Sequence, residues 1–217
     1  MKSSKQKPMY RYLMILTICS AVGLQGWLTL FNNFAVEVAG LDGIHIGVIQ
    51  SVREVPGFLA LLAIFVMLLV KEHRLSALST LVLGVGLAAT GLFPSFIGLL
   101  ITTLIMSFGF HYYETTNQSL SLQYFDENTS PWVIGKLRSM AAASNIGIGV
   151  FIYLMAALLN YTQVYLLVGG LIIATSVWAL AQDPTDRDII PQRKKMIFRK
   201  KYWLFYFLTF MAGARRQ

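Results

Sequence analysis

The sequence predicts an all-α integral membrane protein, built as a six-helix transmembrane bundle that is followed by a partial seventh helix. Of its 217 residues, 56% are hydrophobic and only 13% are charged, which is far from the composition of a soluble domain. The apolar residues form runs of the length that membrane-spanning helices need. The basic residues outside these runs all fall in alternate loops, as the positive-inside rule requires of cytoplasmic loops, and this places the N-terminus in the cytoplasm.

Five apolar runs define the predicted helices. They cover 12–36, 44–70, 75–113, 139–182 and 202–214. The third and fourth runs contain 39 and 44 residues. Since one span takes about 20 residues, each of these two runs is expected to fold as a helical hairpin.

The first two helices follow directly from their runs. Helix 1 is predicted over 12–35, and its run of 25 apolar residues is too long for a signal peptide, whose apolar region has about 7–15. Helix 2 is predicted over 44–70, where Arg53, Glu54 and Pro56 interrupt the apolar run. Proline removes a backbone hydrogen bond, so a kink is expected beside the two charges.

Turn signals separate the other helices. Helices 3 and 4 are predicted to meet at 91–94 (Gly-Leu-Phe-Pro), and helices 5 and 6 at 160–163 (Asn-Tyr-Thr-Gln). The second connection is short enough to make its helices antiparallel neighbours. Residues 1–182 therefore form one six-helix transmembrane domain, and 183–201, with two prolines and seven basic residues, form a cytoplasmic linker.

Residues 202–217 begin a seventh helix. Its 13 apolar residues cover only about 20 Å of a roughly 30 Å hydrocarbon core. Either the segment lies along the cytoplasmic interface, or the polypeptide is a truncated piece of a longer one. The six-helix block and the basic linker before it favour truncation.

The net charge of +8 indicates contact with lipid rather than with nucleic acid. The basic residues are spread over membrane-flanking loops, where they attract anionic head groups, whereas a nucleic-acid-binding protein gathers them on one folded face. The sequence has no Walker loop, HExxH or CxxC motif, and its one cysteine is Cys19. It therefore predicts a multi-pass protein of the cell membrane with no cofactor, no metal site and no enzymatic activity.

Arg53 and Glu54 are the first candidate functional residues. The helical rise places them about 13–15 Å from the outer end of helix 2, where ionisable side chains normally face the bundle interior or a water-filled cavity. Adjacent residues of a helix point about 100° apart, so each is expected to find its partner on another helix. Two interpretations remain open: a structural ion pair, or a contact to substrate or coupling ion beside the Pro56 hinge.

A second candidate set lies at the end of helix 4. His111, Glu114, Thr115 and Gln118 recur at i, i+3, i+4 and i+7, which predicts one helix face near Asn145 of helix 5. A partly desolvated carboxylate one turn from a histidine can take up a proton. In the alternative interpretation the helix leaves the membrane near residue 113, and Glu114 is an interfacial residue.

Arg215 and Arg216 matter if the seventh helix continues. They would then reach the depth of Arg53 and Glu54, and Glu54 could pair with either of them. Three arginines against one glutamate leave an excess of positive charge, which suits an anionic substrate.

Six helices with both ends inside, a basic linker of about 20 residues and a seventh helix resemble the N-terminal half of a major facilitator superfamily transporter. The resemblance implies a second, C-terminal six-helix half and a small-molecule substrate bound near the midplane and moved by alternating access, with H+ as one coupling ion. It also implies that helices 1 and 4 line the cavity while helices 2 and 5 border the other half. Gln25, Asn145 and the face from His111 to Gln118 would then lie near the path, and Arg53 and Glu54 at the boundary between the halves.

The chain departs from the family pattern in three places. The loop 69–75 (Leu-Val-Lys-Glu-His-Arg-Leu) keeps two basic residues and lacks the usual Gly and Asp. Helix 4 has no embedded arginine, and helix 5 reads Asn-Ile-Gly-Ile-Gly over 145–149, where antiporters tend to show Gly-Pro. The coupling ion and the direction of transport therefore stay open.

Two other function classes fit the same charge pattern. The first is a six-helix scaffold or assembly subunit that binds a partner through the basic segment 187–201. The second is a membrane enzyme with a carboxylate and histidine site at Glu114 and His111.

Overall fold

The chain is all-α, as predicted. The computed structural model describes residues 6–186, 200–204 and 207–208, and no strand occurs among them. The helices, in chain order, are α1 (Lys7–Glu37), α2 (Gly43–Arg53), α3 (Val55–Phe58), α4 (Ala63–Leu69), α5 (Glu72–Thr90), α6 (Phe96–Tyr124), α7 (Ser130–Met155) and α8 (Tyr161–Leu180). Short 3₁₀ segments cover Leu59–Leu62 and Lys200–Tyr202. The rest of the predicted basic linker and of the seventh helix lies outside the described residues.

Several helices are long and apolar enough to cross a membrane. Among the described residues these are α1, α6, α7 and α8, with a fifth span if Gly43–Phe58 and Ala63–Leu69 are counted together. Helix α5 is not among them, because its 19 residues include Glu72, His73 and Arg74 in the first turn. The long apolar helices indicate a membrane-embedded protein, with four or five spans by length and composition rather than the predicted six.

The predicted helix 2 is broken into short pieces. The two parts on either side of Leu59–Leu62 are bent by 52°. Pro56 has no N–H with which to continue the α-helical ladder, and the Glu54 N–H bonds the Ser51 carbonyl instead (3.2 Å). Helix α2 therefore ends at Arg53, and α3 begins with Pro56 in its first turn. At the charged pair the α-helix is interrupted for one residue, Glu54, whose backbone stays in the right-handed helical region, and the 52° bend lies further along, at Leu59–Leu62.

Helices α6 and α7 are longer than predicted. Helix α6 continues to Tyr124, and α7 begins at Ser130, where the Asp126 carboxylate accepts the backbone N–H of Thr129 (2.7 Å). Lys136 and Arg138, which the sequence assigned to a loop, therefore lie inside α7. Apolar runs underestimate such helices, because a helix that extends past the hydrocarbon core continues with polar residues.

Glycines let α5 pack closely between α6 and α8. A Cβ on Gly109 of α6 would overlap the backbone nitrogen of Leu83, and one on Gly86 of α5 would overlap the backbone nitrogen of Met106. A Cβ on Gly169 of α8 would lie 2.7 Å from that of Ala88. Helices in lipid gain close van der Waals contact in this way. The small residues of α7 are different, since nothing in the described part of the chain lies within 4 Å of a Cβ placed on Gly147.

Helix α1 passes through two apolar core clusters with a polar layer between them. Its N-terminal part, from Met9 to Leu16, packs in one cluster with Tyr113. Most of the second cluster's α1 residues lie in the C-terminal part, from Trp27 to Ala35, beside Tyr165. The polar residues of α1 from Thr17 to Gln25 fall between these clusters, and they line the cavity described next.

Candidate functional site

A cavity of about 340 Å³ lies between α1, α6 and α7. Helix α1 contributes Thr17, Ser20, Ala21, Leu24 and Gln25. Helix α6 contributes Phe110, Tyr113, Glu114, Asn117, Gln118 and Ser121. Helix α7 contributes Ile134, Leu137, Arg138, Ala141 and Asn145. The volume is at the lower end of the range for ligand pockets, about 300–1,000 Å³, so the cavity is of a size for a small solute.

The lining follows from helical periodicity. On α6 the residues from Phe110 to Ser121 recur at spacings of three and four, so one stripe of the helix faces the cavity. The α1 and α7 residues have the same spacing. Eight of the sixteen lining residues carry an amide or hydroxyl group, two are charged and six are apolar. The cavity therefore presents ten polar side chains between α1, α6 and α7, although all three helices are apolar enough to span a membrane.

Four residues selected from the sequence come together here. Gln25, Glu114, Gln118 and Asn145 reach the same cavity from three helices. The Asn145 side-chain amide, assigned with its nitrogen toward the backbone, donates to the carbonyls of Ala141 (3.2 Å) and Ala21 (3.3 Å). It thereby links α7 to α1 at the cavity wall.

Two hydrogen-bonding patterns distinguish the cavity wall. The hydroxyls of Thr17 and Tyr113 bond each other at 2.7 Å and join α1 to α6. By contrast, Ser20 Oγ and Asn117 Oδ1 are buried and have no hydrogen-bond partner within the described part of the chain. A buried polar atom without a partner is costly, and natural proteins keep few of them. Four other such atoms lie elsewhere in the described bundle, but Ser20 and Asn117 line the cavity, where a bound molecule can supply their hydrogen bonds.

Sequence reasoning missed Ser20, Asn117 and Arg138. Because helix 5 was predicted to begin at residue 139, Arg138 was counted as a loop residue that sets orientation. The usable signal was spacing, since Arg138 precedes Asn145 by seven residues and Asn117 follows Glu114 by three. Arg138 and Glu114 are both exposed, so the cavity is open to its surroundings.

The charged pair at the helix break forms a second cluster. Arg53 and Glu54 were expected to find partners on other helices, but Arg53 Nε and Nη2 both donate to Glu54 Oε1, at 3.0 and 2.7 Å. The long Arg53 side chain therefore reaches its neighbour, although the Glu54 backbone stays in the right-handed helical region. Arg53 does have a partner on α1, the Trp27 ring, whose centroid lies 5.4 Å from the guanidinium carbon. The Ser107 hydroxyl of α6 donates to the Arg53 carbonyl.

His111 belongs to this second cluster and not to the cavity. Its ring packs on Gly57, where an added Cβ would lie 3.0–3.3 Å from three ring atoms. The predicted single face from His111 to Gln118 is therefore divided, with Glu114 and Gln118 at the cavity and His111 toward the helix break. The α6 arc that faces the cavity is centred on Asn117 and Ser121, and at about 100° per residue His111 lies just outside its edge.

Arg215 and Arg216 lie outside the described residues, so their predicted pairing with Glu54 has no structural counterpart here. No group of three or more His, Cys, Asp or Glu side chains in the described part of the chain could hold a metal ion. Comparison with protein-family models gives no match, and comparison with the curated proteins gives none either.

Proposed function

We propose that the chain is the N-terminal half, with the start of a seventh helix, of a secondary transporter of the major facilitator type. The observation that carries the proposal is the polar cavity between α1, α6 and α7, lined by Gln25, Glu114, Gln118 and Asn145. Charged and amide side chains inside a membrane are costly, and where they persist they commonly line substrate or ion pathways. A small solute is proposed to cross by alternating access around this cavity.

The position of the cavity along the helices supports this proposal. Residues 17–25 lie at the middle of α1, which runs from Lys7 to Glu37. In a spanning α1 this level falls near the membrane midplane, where secondary transporters bind their substrates. On α6 and α7 the cavity extends toward the connection at 125–129. The proposed topology places that connection in the cytoplasm, with Lys136 in the second turn of α7 as the nearest basic residue outside the cavity, so the proposed state is open to the inside.

The proposed topology has six spans with the N-terminus in the cytoplasm. Helices α2 to α4 form the bent second span, and α5 the third. A second six-helix half is proposed to pack on the exposed small-residue stripe of α7, which includes Ser139, Ala143 and Gly147. In this account Arg53 and Glu54, at the interruption of the second span, hold the part of the bundle that moves against that half.

Transport is tested by uptake into proteoliposomes. The polypeptide encoded by the complete native reading frame is purified and reconstituted, and a mixed panel of amino acids, sugars and organic acids is supplied with and without an imposed proton gradient. Accumulation of one solute class above protein-free liposomes is expected. A protein that is monodisperse in detergent but moves none of the panel would contradict the proposal and favour the scaffold function.

The scaffold function makes its own prediction. It requires the basic segment 187–201 to bind a partner, so replacing its seven basic residues with glutamine should release that partner. In this case neither the unaltered protein nor the variant takes up solute. For the transporter, the same replacement should change membrane insertion or orientation more than the solute preference.

A further inference from the structure

We infer that the cavity binds a small zwitterion, a molecule that carries one ammonium and one carboxylate group, such as an α-amino acid. This inference rests on the proposed function and names its substrate class. The charged side chains of the lining are one carboxylate, Glu114, and one guanidinium, Arg138. Their charges sum to zero, so the lining matches a molecule without net charge better than the anion suggested by Arg215 and Arg216.

The two charges stand at similar levels on two helices. Glu114 lies ten residues before the end of α6 at Tyr124, and Arg138 lies eight residues after the start of α7 at Ser130. At 1.5 Å per residue these are distances of about 15 and 12 Å from the same interhelical connection. A solute in the cavity can therefore present groups of opposite charge to α6 and α7 at the same time.

The buried polar atoms at the cavity indicate which groups the bound solute carries. Asn117 Oδ1 only accepts hydrogen bonds, and it is buried with no donor among the residues that the structure describes. A carboxylate has no donor to offer it, whereas an ammonium group has three. Asn117 follows Glu114 by three residues on α6, so both acceptors can face one ammonium group. Ser20, which is 2% exposed and also unpartnered, can donate to a carboxylate from α1.

The apolar part of the lining can pack against the side chain of the solute. Leu24, Phe110 and Ile134 reach the cavity from each of the three helices. The solute carboxylate then bonds Arg138 and Ser20, its ammonium group bonds Glu114 and Asn117, and its side chain packs on these apolar residues. Charge-assisted hydrogen bonds of this kind are the stronger class, so loss of either charged group should weaken binding clearly.

The test measures equilibrium binding by titration calorimetry. The purified product of the complete reading frame is titrated with each standard α-amino acid, with D-ribose and with inorganic phosphate. The amino acid that binds most tightly is compared with its analogue lacking the ammonium group and with its analogue lacking the carboxylate. The expected result is binding of at least one amino acid, with each analogue weaker by at least tenfold and no binding of ribose or phosphate.

Three variants assign the two charges. In Glu114→Gln the discrimination against the analogue without the ammonium group should fall below threefold, and in Arg138→Gln the discrimination against the analogue without the carboxylate should fall likewise. Lys136→Gln removes a positive charge two residues away on α7, outside the cavity and beside Trp132, and should keep both preferences.

The inference is overturned if no amino acid binds, whether or not ribose or phosphate does. A change of selectivity in Lys136→Gln as large as that in Arg138→Gln would also overturn it, because a general effect of positive charge would then explain both. Different results would contradict the zwitterion inference and the transporter proposal. An amino acid that binds but is never accumulated by proteoliposomes contradicts transport alone, and uptake of a different solute class contradicts the zwitterion alone.

Discussion

The Arg53 guanidinium lies over the Trp27 ring, 5.4 Å from its centroid, where α2 breaks off against α1. The same guanidinium donates two hydrogen bonds to Glu54, so a cation, an aromatic face and a carboxylate meet at one interruption of a proposed span. The Arg53 and Glu54 side chains are only 17% and 22% exposed, and the Ser107 hydroxyl fixes the Arg53 carbonyl from α6. The break is therefore held from both sides by specific contacts.

Arg53→Ala is expected to reduce solute uptake by at least tenfold while the protein stays folded. The Arg53 guanidinium joins the broken second span to Trp27 of α1, and the alanine variant loses this contact. Uptake by proteoliposomes and detergent gel filtration measure the two effects. Arg53→Lys is the matched variant, which keeps the charge but loses the planar fork, and intermediate uptake is expected. Aggregation of Arg53→Ala would instead assign the pair a structural role.

Gly109→Ala is expected to destabilise the bundle. The added methyl group would overlap the Leu83 backbone, and overpacking of a tight contact costs about 1–3 kcal/mol. Gly170→Ala on α8 is the control, because nothing described lies within 4 Å of its Cβ and alanine favours a helix over glycine. Thermal denaturation in detergent measures both. Equal melting temperatures for the two variants would contradict the close packing of α5 and α6.

The topology predicts which engineered cysteines are labelled from outside the cell. Cys19 is the single cysteine of the sequence, so replacing it with serine leaves a protein without thiols to label. Cys19 is buried, and serine is a small replacement for it. Cysteines at Leu92 and Leu158, both exposed, should react with a membrane-impermeant maleimide in intact cells. Cysteines at Glu127 and Thr185, also exposed, should react only after permeabilisation. Labelling of Leu92 and Glu127 from the same side would contradict a span in α6.

The sequence predicted the fold where apolarity and turn chemistry agree. The capping box at Asn160 and Gln163 begins α8 where the turn was expected, and Pro56 marks the interruption of the second predicted helix. Apolarity did not predict the ends of α6 and α7, because both helices extend into polar sequence. As a result, Arg138 was interpreted as a loop residue although it reaches the cavity.

Part of the site was predictable from the spacing of polar residues along single helices. Spacing on a single helix relates Glu114 to Gln118, and the structure brings both to the cavity with Gln25 and Asn145. The periodicity of one helix does not predict which other helices it faces. The predicted grouping of His111 with Glu114 is therefore wrong, and His111 lies against Gly57 instead. Helical periodicity sets Arg53 and Glu54 about 100° apart and so predicts partners on other helices, but it takes no account of how far the long Arg53 side chain reaches.

The central claim is that the cavity between α1, α6 and α7 is the solute pathway, and blocking it with a large side chain tests this most directly. Ala141 lines the cavity, whereas Ala174 of α8 is exposed and lies away from both the cavity and the small-residue stripe of α7. Uptake into proteoliposomes is measured for Ala141→Trp and Ala174→Trp at matched reconstituted amounts. The account predicts that Ala141→Trp loses at least 90% of the uptake, on the order of a tenfold rate change, while Ala174→Trp keeps most of it. Full uptake by a folded Ala141→Trp protein would contradict the account.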